Sequence, residues 1–370
     1  MSERVDHSFK SGEGRISGSL SLLLGALSFG AVICFHFPEY FTTPEIRKLY
    51  PIDLFRKILF LFIMLSTVLG IANLIRNRNK RFAIWGMIFS VSAFLMGGWK
   101  IETKDFETAA IYIGLDWMIL DLLILIIVFI PLEKLLPKWQ NQQILRPEWK
   151  TDLTYFCLGH LLIQLITVMI TAPSTLIFSG IDLSGFRGFI TSLPFAVQLI
   201  VTIFFTDLAQ AFMHRLFHTS QFLWRFHSIH HSIKHLDWLA GSRLHLLDIF
   251  LTRSFGFIPI FILGISQDVI AVYAVIVATQ TVVIHSNTRL NFGYLKYIIV
   301  TPQYHHWHHS GEIDTYNKNY AVHLTIIDHL MGTYYLPENK WPEKYGINEY
   351  IPLGYVNQFF FPLKKRTELD

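Results

Sequence analysis

Hydrophobic positions in this chain fall into long unbroken runs. They show neither the alternation of a half-buried strand nor the narrow stripe of a soluble amphipathic helix. Runs near residues 16–37, 54–75, 82–99, 109–131, 153–178 and 191–213, and a closely spaced pair near 249–264 and 268–287, answer to the roughly 20 residues a helix needs to cross a bilayer core. The pattern predicts an all-α fold: a polytopic integral membrane bundle, multi-pass, topped by a histidine-rich helical cap. Pro259 and Gly264 interrupt the last pair and its first half is short, so a hairpin entering and leaving by one face is the economical expectation. No A-x-A-like cleavage site follows the first run, which is expected to be a retained helix.

Composition agrees, with 52% hydrophobic and only 16% charged residues. A net charge of +4 would admit nucleic acid as a partner, but the basic residues sit mostly in short loops between apolar runs, so no nucleic-acid partner is expected. Charge sets orientation instead. The loop RNRNKR at 76–81 carries four positive and no negative charges, and by the positive-inside rule it faces the cytosol. Counting from it puts the N-terminus inside, 100–108 outside and the segment after 213 on the cytosolic side, so both termini and the histidine clusters are expected there. Cys34 and Cys157 lie within apolar runs and suggest neither a disulfide framework nor a thiolate metal site.

Pro137 and Pro147 punctuate a linker at 132–150. It divides an N-terminal transmembrane region, 1–150, with about four spans and no recognisable chemistry, from a second domain, 151–370. Of 17 histidines, 14 fall between His214 and His329. Three patterns stand out: HRLFH (His214, His218), HSIHH (His227, His230, His231) and HHWHH, in which His305, His308 and His309 repeat the H-x-x-H-H spacing. Residues three and four apart share a helix face, so each pattern aims its imidazoles one way. Eight such nitrogens exceed what one tetrahedral ion can use, and two metal ions are the natural count. His7, His36 and His160 stand alone and read as hydrogen-bonded structural residues.

These patterns resemble the fatty acid hydroxylase and sterol desaturase superfamily of membrane di-iron oxygenases, which carry three histidine boxes. The resemblance covers residues 200–346, through Asp207 to His218, LWRFHSIHHS, LDWLAGSRLH, TPQYHHWHHS and NYAVHLTIIDHLMGTYYLP, and is greatest to bacterial sterol desaturase-like proteins and alkylglycerol monooxygenases. It makes the eight box histidines metal ligands and adds His285, at the end of the apolar run before the third box. Arg289 stands where the fatty acid 2-hydroxylase branch has another histidine, which argues against that branch. His306 points about 100 degrees from His305 on a helix and reads as either a ligand or a support to one. His245 is a further candidate for ligand or substrate-side residue, whereas His235, His323 and His329 are expected not to bind metal. Asp207, Asp237 and Asp328 are candidate acceptors for the second ring N–H of the ligands.

The resemblance implies two Fe ions, with Zn replacing them on overexpression, and O2 as co-substrate. The implied reaction is hydroxylation, desaturation or ether cleavage of a membrane lipid with sterol, fatty acyl or alkyl-ether character. The alternatives are a membrane zinc-dependent hydrolase, for which Glu312 is the only nearby glutamate, and a non-enzymatic metal transporter. The chain has no dinucleotide fingerprint, haem-attachment motif or cysteine set for an iron–sulfur cluster. Electrons are therefore expected from a separate NAD(P)H-fed carrier, docking around Lys234, Arg243, Lys296 and Lys318.

Overall fold

The computed structural model describes residues 15–47, 49–102, 112–338 and 340–364. His7 and residues 103–108 of the loop expected outside the membrane lie beyond them. Two compact units divide the chain, Met1–Asp121 and Leu122–Asp370.

In the first unit, α1 (Arg15–His36), α2 (Ile52–Arg76) and α3 (Arg81–Leu95) pack together as three apolar helices. Apolar side chains gain little by leaving lipid, so close packing and interhelical hydrogen bonds hold such helices. The contact is built from small residues. A Cβ on Gly25 would meet the Gly86 carbonyl oxygen at 2.3 Å, so only glycine permits this approach. Beside it Ser21 Oγ donates to the Ser66 carbonyl and Ser66 Oγ to the Ser21 carbonyl, both at 2.8 Å. His36 bonds the Met96 carbonyl at 2.7 Å, the structural role expected of it.

The boundary falls within α4 (Leu115–Leu135). In the second unit follow α5 (Trp149–Leu161), α6 (Ile163–Phe178), α7 (Phe195–Thr219), α8 (Gln221–His231), α9 (Leu246–Leu263), α10 (Gln267–His285), α11 (Pro302–His308) and α12 (Thr325–Met331). Among the described residues no strand forms, only isolated bridges. Among the described residues seven helices are long and apolar enough to cross a membrane: α1, α2, the Arg81–Lys100 stretch, α4, α7, α9 and α10. The protein is multi-pass.

Two expected spans differ in detail. The 153–178 run forms two helices, α5 and α6, bent by 62° at their junction. α5 is held by Asp152, buried among arginines, whereas α6 is apolar and carries no such anchor. Pro259 does not end α9, which runs on to Leu263. The α9–α10 pair is a hairpin whose outer ends, at Asp248 and His285, both meet box histidines, Asp248 at His227 and His285 at His230 and His305.

The segment expected to be a linker is instead packed against 237–287. Glu133 accepts from the Trp238 and Asn287 amides at 2.7 and 2.9 Å, and the Lys138 amide donates to the Asn287 carbonyl at 3.1 Å. Arg146, 2% exposed, bridges Asp152 at 2.6 Å and Asp237 at 2.7 Å, while Arg243 pairs with Asp152 and Glu148. Buried charges persist only when paired in this way, because desolvating each alone costs several kcal/mol, on the order of ~3–5 when one partner is removed.

Candidate metal centre

α7 carries His214 and His218 one turn apart at its end, where Ser220 terminates it and caps α8 by accepting from the Leu223 amide. α8 then presents His227, His230 and His231, and Thr301 caps the short α11, with Pro302 in its first turn, to present His305, His308 and His309. His285 ends α10.

The nine histidines assemble into two groups. His214, His218, His227, His231 and His308 form one and His230, His285, His305 and His309 the other, with the ring nitrogens of each group within 4.8 Å of one another. The first box stays intact and the other two divide: residues four apart, 214/218, 227/231 and 305/309, share a group, while the adjacent pairs 230/231 and 308/309 split between the two. The groups touch where the His231 and His309 rings stack at 4.6 Å.

Five of the nine rings are oriented from behind. The Nδ1 atoms of His214, His230, His285 and His308 lie 2.9, 3.1, 2.7 and 2.8 Å from the carbonyls of Tyr320, Arg243, Thr281 and Lys318. His227 Nδ1 lies 2.6 Å from Asp248 Oδ2. An N–H donated at Nδ1 leaves the Nε2 lone pair facing inward, the arrangement that metal-ligating histidines adopt. The inward nitrogens are crowded: Nε2 of His227 stands 3.0 Å from that of His214 and 3.1 Å from that of His231. In the other group the His230–His285, His285–His305 and His305–His309 Nε2 separations are 3.3, 3.1 and 3.1 Å. Nε2 of His218 and of His308 is buried without a partner.

Burial first, and then repulsion between neighbouring rings, hold His230, His231, His305, His308 and His309 well below the usual imidazole pKa. They are neutral at pH 7 and keep their lone pairs. Two donors about 2.1 Å from one ion and at right angles stand about 3.0 Å apart. Converging neutral lone pairs at that spacing, with too few protons to bridge them and unpartnered nitrogens among them, fit a divalent ion in each group.

The remaining sequence candidates lie elsewhere. His245 caps α9, accepting from the Leu247 amide at 3.1 Å, and its Nε2 meets the Phe359 carbonyl. His306, fully buried, sits between Tyr345 Oη and the Ser286 carbonyl. Asp207 accepts from the amides of Val322, His323 and Leu324, and Asp328 from those of Tyr320 and Ala321 and from Tyr304 Oη. Asp237 is occupied by Arg146. Among the described residues these three shape the backbone around the histidines but accept no bond from a box ring, whereas Asp248 does. Its signal was weak, a carboxylate three residues after LH at the start of an apolar run. His235, His323 and His329 stand outside both groups, and His160 bonds the Phe156 carbonyl. Glu312 also stands outside them, accepting from the Glu343 amide at 3.0 Å. Arg243, expected on a docking surface, is fully buried in its ion pairs, because the loop that it closes passes under His230.

Among the described residues the second unit is helical and carries, on its histidine boxes, two clusters of inward-facing imidazoles that could each hold a metal ion. Residues 199–333 match the fatty acid hydroxylase family model. The chain is similar to ornithine lipid hydroxylase OlsE of Rhizobium tropici, 31% identical over 47% of this chain and 52% of that protein. It is also similar to the alkylglycerol monooxygenases of Homo sapiens, 29% identical over 40% of this chain and 33% of that one, and of Danio rerio, 30% identical over 35% and 28%. The matched region thus spans about half of the first relative and about a third of the others. No solved structure matches.

Proposed function

We propose that the protein is an O2-dependent, di-iron lipid oxygenase of the membrane that hydroxylates its substrate. The observation that carries this reading is the convergence of nine imidazoles, with no carboxylate among them, into two groups in contact. The named relatives, a lipid hydroxylase and a monooxygenase, support oxygen insertion over desaturation, and they support an amphipathic lipid as substrate. Iron bound in the two groups would supply reductive activation of O2 for attack on an unactivated C–H bond. The overall balance is a C–H bond, O2, two electrons and two protons giving C–OH and water.

The chain's own residues set the conditions for this chemistry. The five carbonyl and carboxylate acceptors hold the rings in register, so that binding the ions costs little reorganisation. Burial of the boxes keeps bulk water from the reacting centre; His305, His306 and His309 are each 3% exposed or less. The groups lie at the ends of α7, α9 and α10, within reach of a lipid lodged among those helices. The charge of the 76–81 loop supports a cytosolic site. A zinc hydrolase would need a carboxylate base beside an open ligand position, and none of the described carboxylates stands in either group.

The test is reconstituted protein supplied with dithionite, O2 and candidate lipids, ornithine lipids and alkylglycerols first. The expected result is two irons per chain and a product one oxygen atom heavier that takes its label from 18O2. Lipid cleavage that proceeds without O2, or full turnover with a single ion, would overturn the reading.

A further inference from the structure

The oxygenase reading requires two electrons per turnover, and the sequence carries no dinucleotide fingerprint, haem-attachment motif or iron–sulfur cysteine set to gather them. One surface of the second unit leads from solvent to the four-histidine group through unbroken contacts. Trp139, 36% exposed, donates its indole N–H to Tyr345 Oη at 3.2 Å. Tyr345 Oη donates in turn to His306 Nδ1 at 2.8 Å, and His306 Nε2 donates to the Ser286 carbonyl at 3.1 Å. His306 is the chain neighbour of His305 and Ser286 of His285, both in the four-histidine group. Trp341 packs edge-on against His306, ring centroids 5.2 Å apart.

Charge gathers over the outer end of this ladder. Lys138 Nζ lies 4.7 Å from the Trp139 ring centroid and 5.2 Å from that of Trp341. The Pro137–Thr288 bridge, with the Arg289 amide bonded to the Leu136 carbonyl at 2.8 Å, brings exposed Arg289 beside Lys138. Partial burial and the nearby guanidinium lower the Lys138 pKa, which marks two like charges close together. Among the described residues neither cation makes an ion pair. Such a pair is costly by itself and becomes favourable when an anionic surface covers it.

We propose that the Lys138–Arg289 surface is the docking site of an acidic one-electron carrier protein, and that Trp139, Trp341, Tyr345 and His306 conduct its electrons to the four-histidine group. Each encounter oxidises the carrier by one electron, so two encounters supply one turnover. The ladder also assigns His306 a role: its imidazole faces away from both ligand groups because it ties the third box to the surface. A basic, tryptophan-bearing surface next to membrane helices also suits anionic lipid headgroups. The ordered path inward favours the carrier, since headgroup binding requires no ladder.

The proposal rests on the oxygenase reading, and the experiment separates the two. The iron-loaded protein in detergent is titrated with two acidic probes, a plant-type [2Fe–2S] ferredoxin and a flavodoxin, at low and high salt. Binding to at least one probe is expected at low salt, about tenfold weaker in the K138E/R289E double variant, with the difference vanishing at high salt. Lys296→Glu, at a half-buried lysine of the Gly293–Tyr297 turn that the sequence placed on a docking surface, should bind as the parent does. Trp341→Leu should bind normally yet slow reduction by the bound carrier, followed by the loss of its reduced absorbance. Dithionite should reduce every variant at the parental rate. Binding of neither probe, equal binding by the double variant, or a double variant that loses only its affinity for vesicles containing anionic phospholipid would overturn the docking site. Failure of dithionite to drive oxygenation of any lipid, with carrier binding intact, would count against the oxygenase reading alone.

Discussion

Asp248 is the acidic residue in hydrogen-bond contact with a box histidine, and its replacement by asparagine gives a graded test of the site. The bond to His227 Nδ1 is 2.6 Å, both side chains are at most 5% exposed, and Thr252 Oγ1 also donates to the carboxylate at 3.2 Å. A buried hydrogen bond to an ionised group is worth about 1.5–3 kcal/mol, and an amide keeps the shape and one acceptor while losing the charge. At about 1.4 kcal/mol per decade, the five-histidine group should lose roughly tenfold to hundredfold in metal affinity, which is the range typical of such supporting residues. The four-histidine group contains no partner of Asp248 and should keep its ion. The assay is iron content per chain after dialysis against graded chelator, on protein whose helical circular dichroism matches the parent. The expected curve has one step displaced and one unchanged. Two steps at the parental positions, or displacement of the step that His285→Ala displaces, would refute the reasoning.

Three further perturbations probe the same architecture. His285→Ala removes one of the four ligands of the second group, so turnover and the second iron should be lost together; a His36→Ala control should keep both, and two irons with full activity in the His285 variant would remove it from the site. Gly241→Ala places a Cβ 2.9 Å from His285 Nδ1, so the ring must shift and the four-histidine group should empty in preference to the other, read as a fall towards one iron per chain. Arg146→Met strands the buried Asp237 and leaves Asp152 to Arg243 alone, and should cost about 3–5 kcal/mol, read as a lowered unfolding midpoint with the iron retained until unfolding; an unchanged midpoint would show that the Arg146 pairs contribute nothing.

Much of this protein was legible because lipid and helix geometry each write a local pattern. Hydrocarbon admits only helices or closed barrels, so apolar runs of span length announce α1, α2, α4, α7, α9 and α10 within a few residues. A repeat of three and four residues sets imidazoles on one face, so the boxes were visible as candidate ligand sets before any fold was known. The tertiary structure decided the partition. His230 and His231 are neighbours in sequence, but about 100 degrees apart on α8, and which group each joins depends on where α10 and α11 arrive. The tertiary structure also selected Asp248 over Asp207, Asp237 and Asp328, since a carboxylate is free to take a ring N–H or backbone amides and only packing brings one or the other within reach. Likewise Arg243 is an interior ion-pair partner, while Lys138, Arg289 and Trp341 meet on one surface although up to about 200 residues separate them. Contacts across such distances leave no periodic trace in the chain, because nothing in the spacing of one segment encodes the position of another.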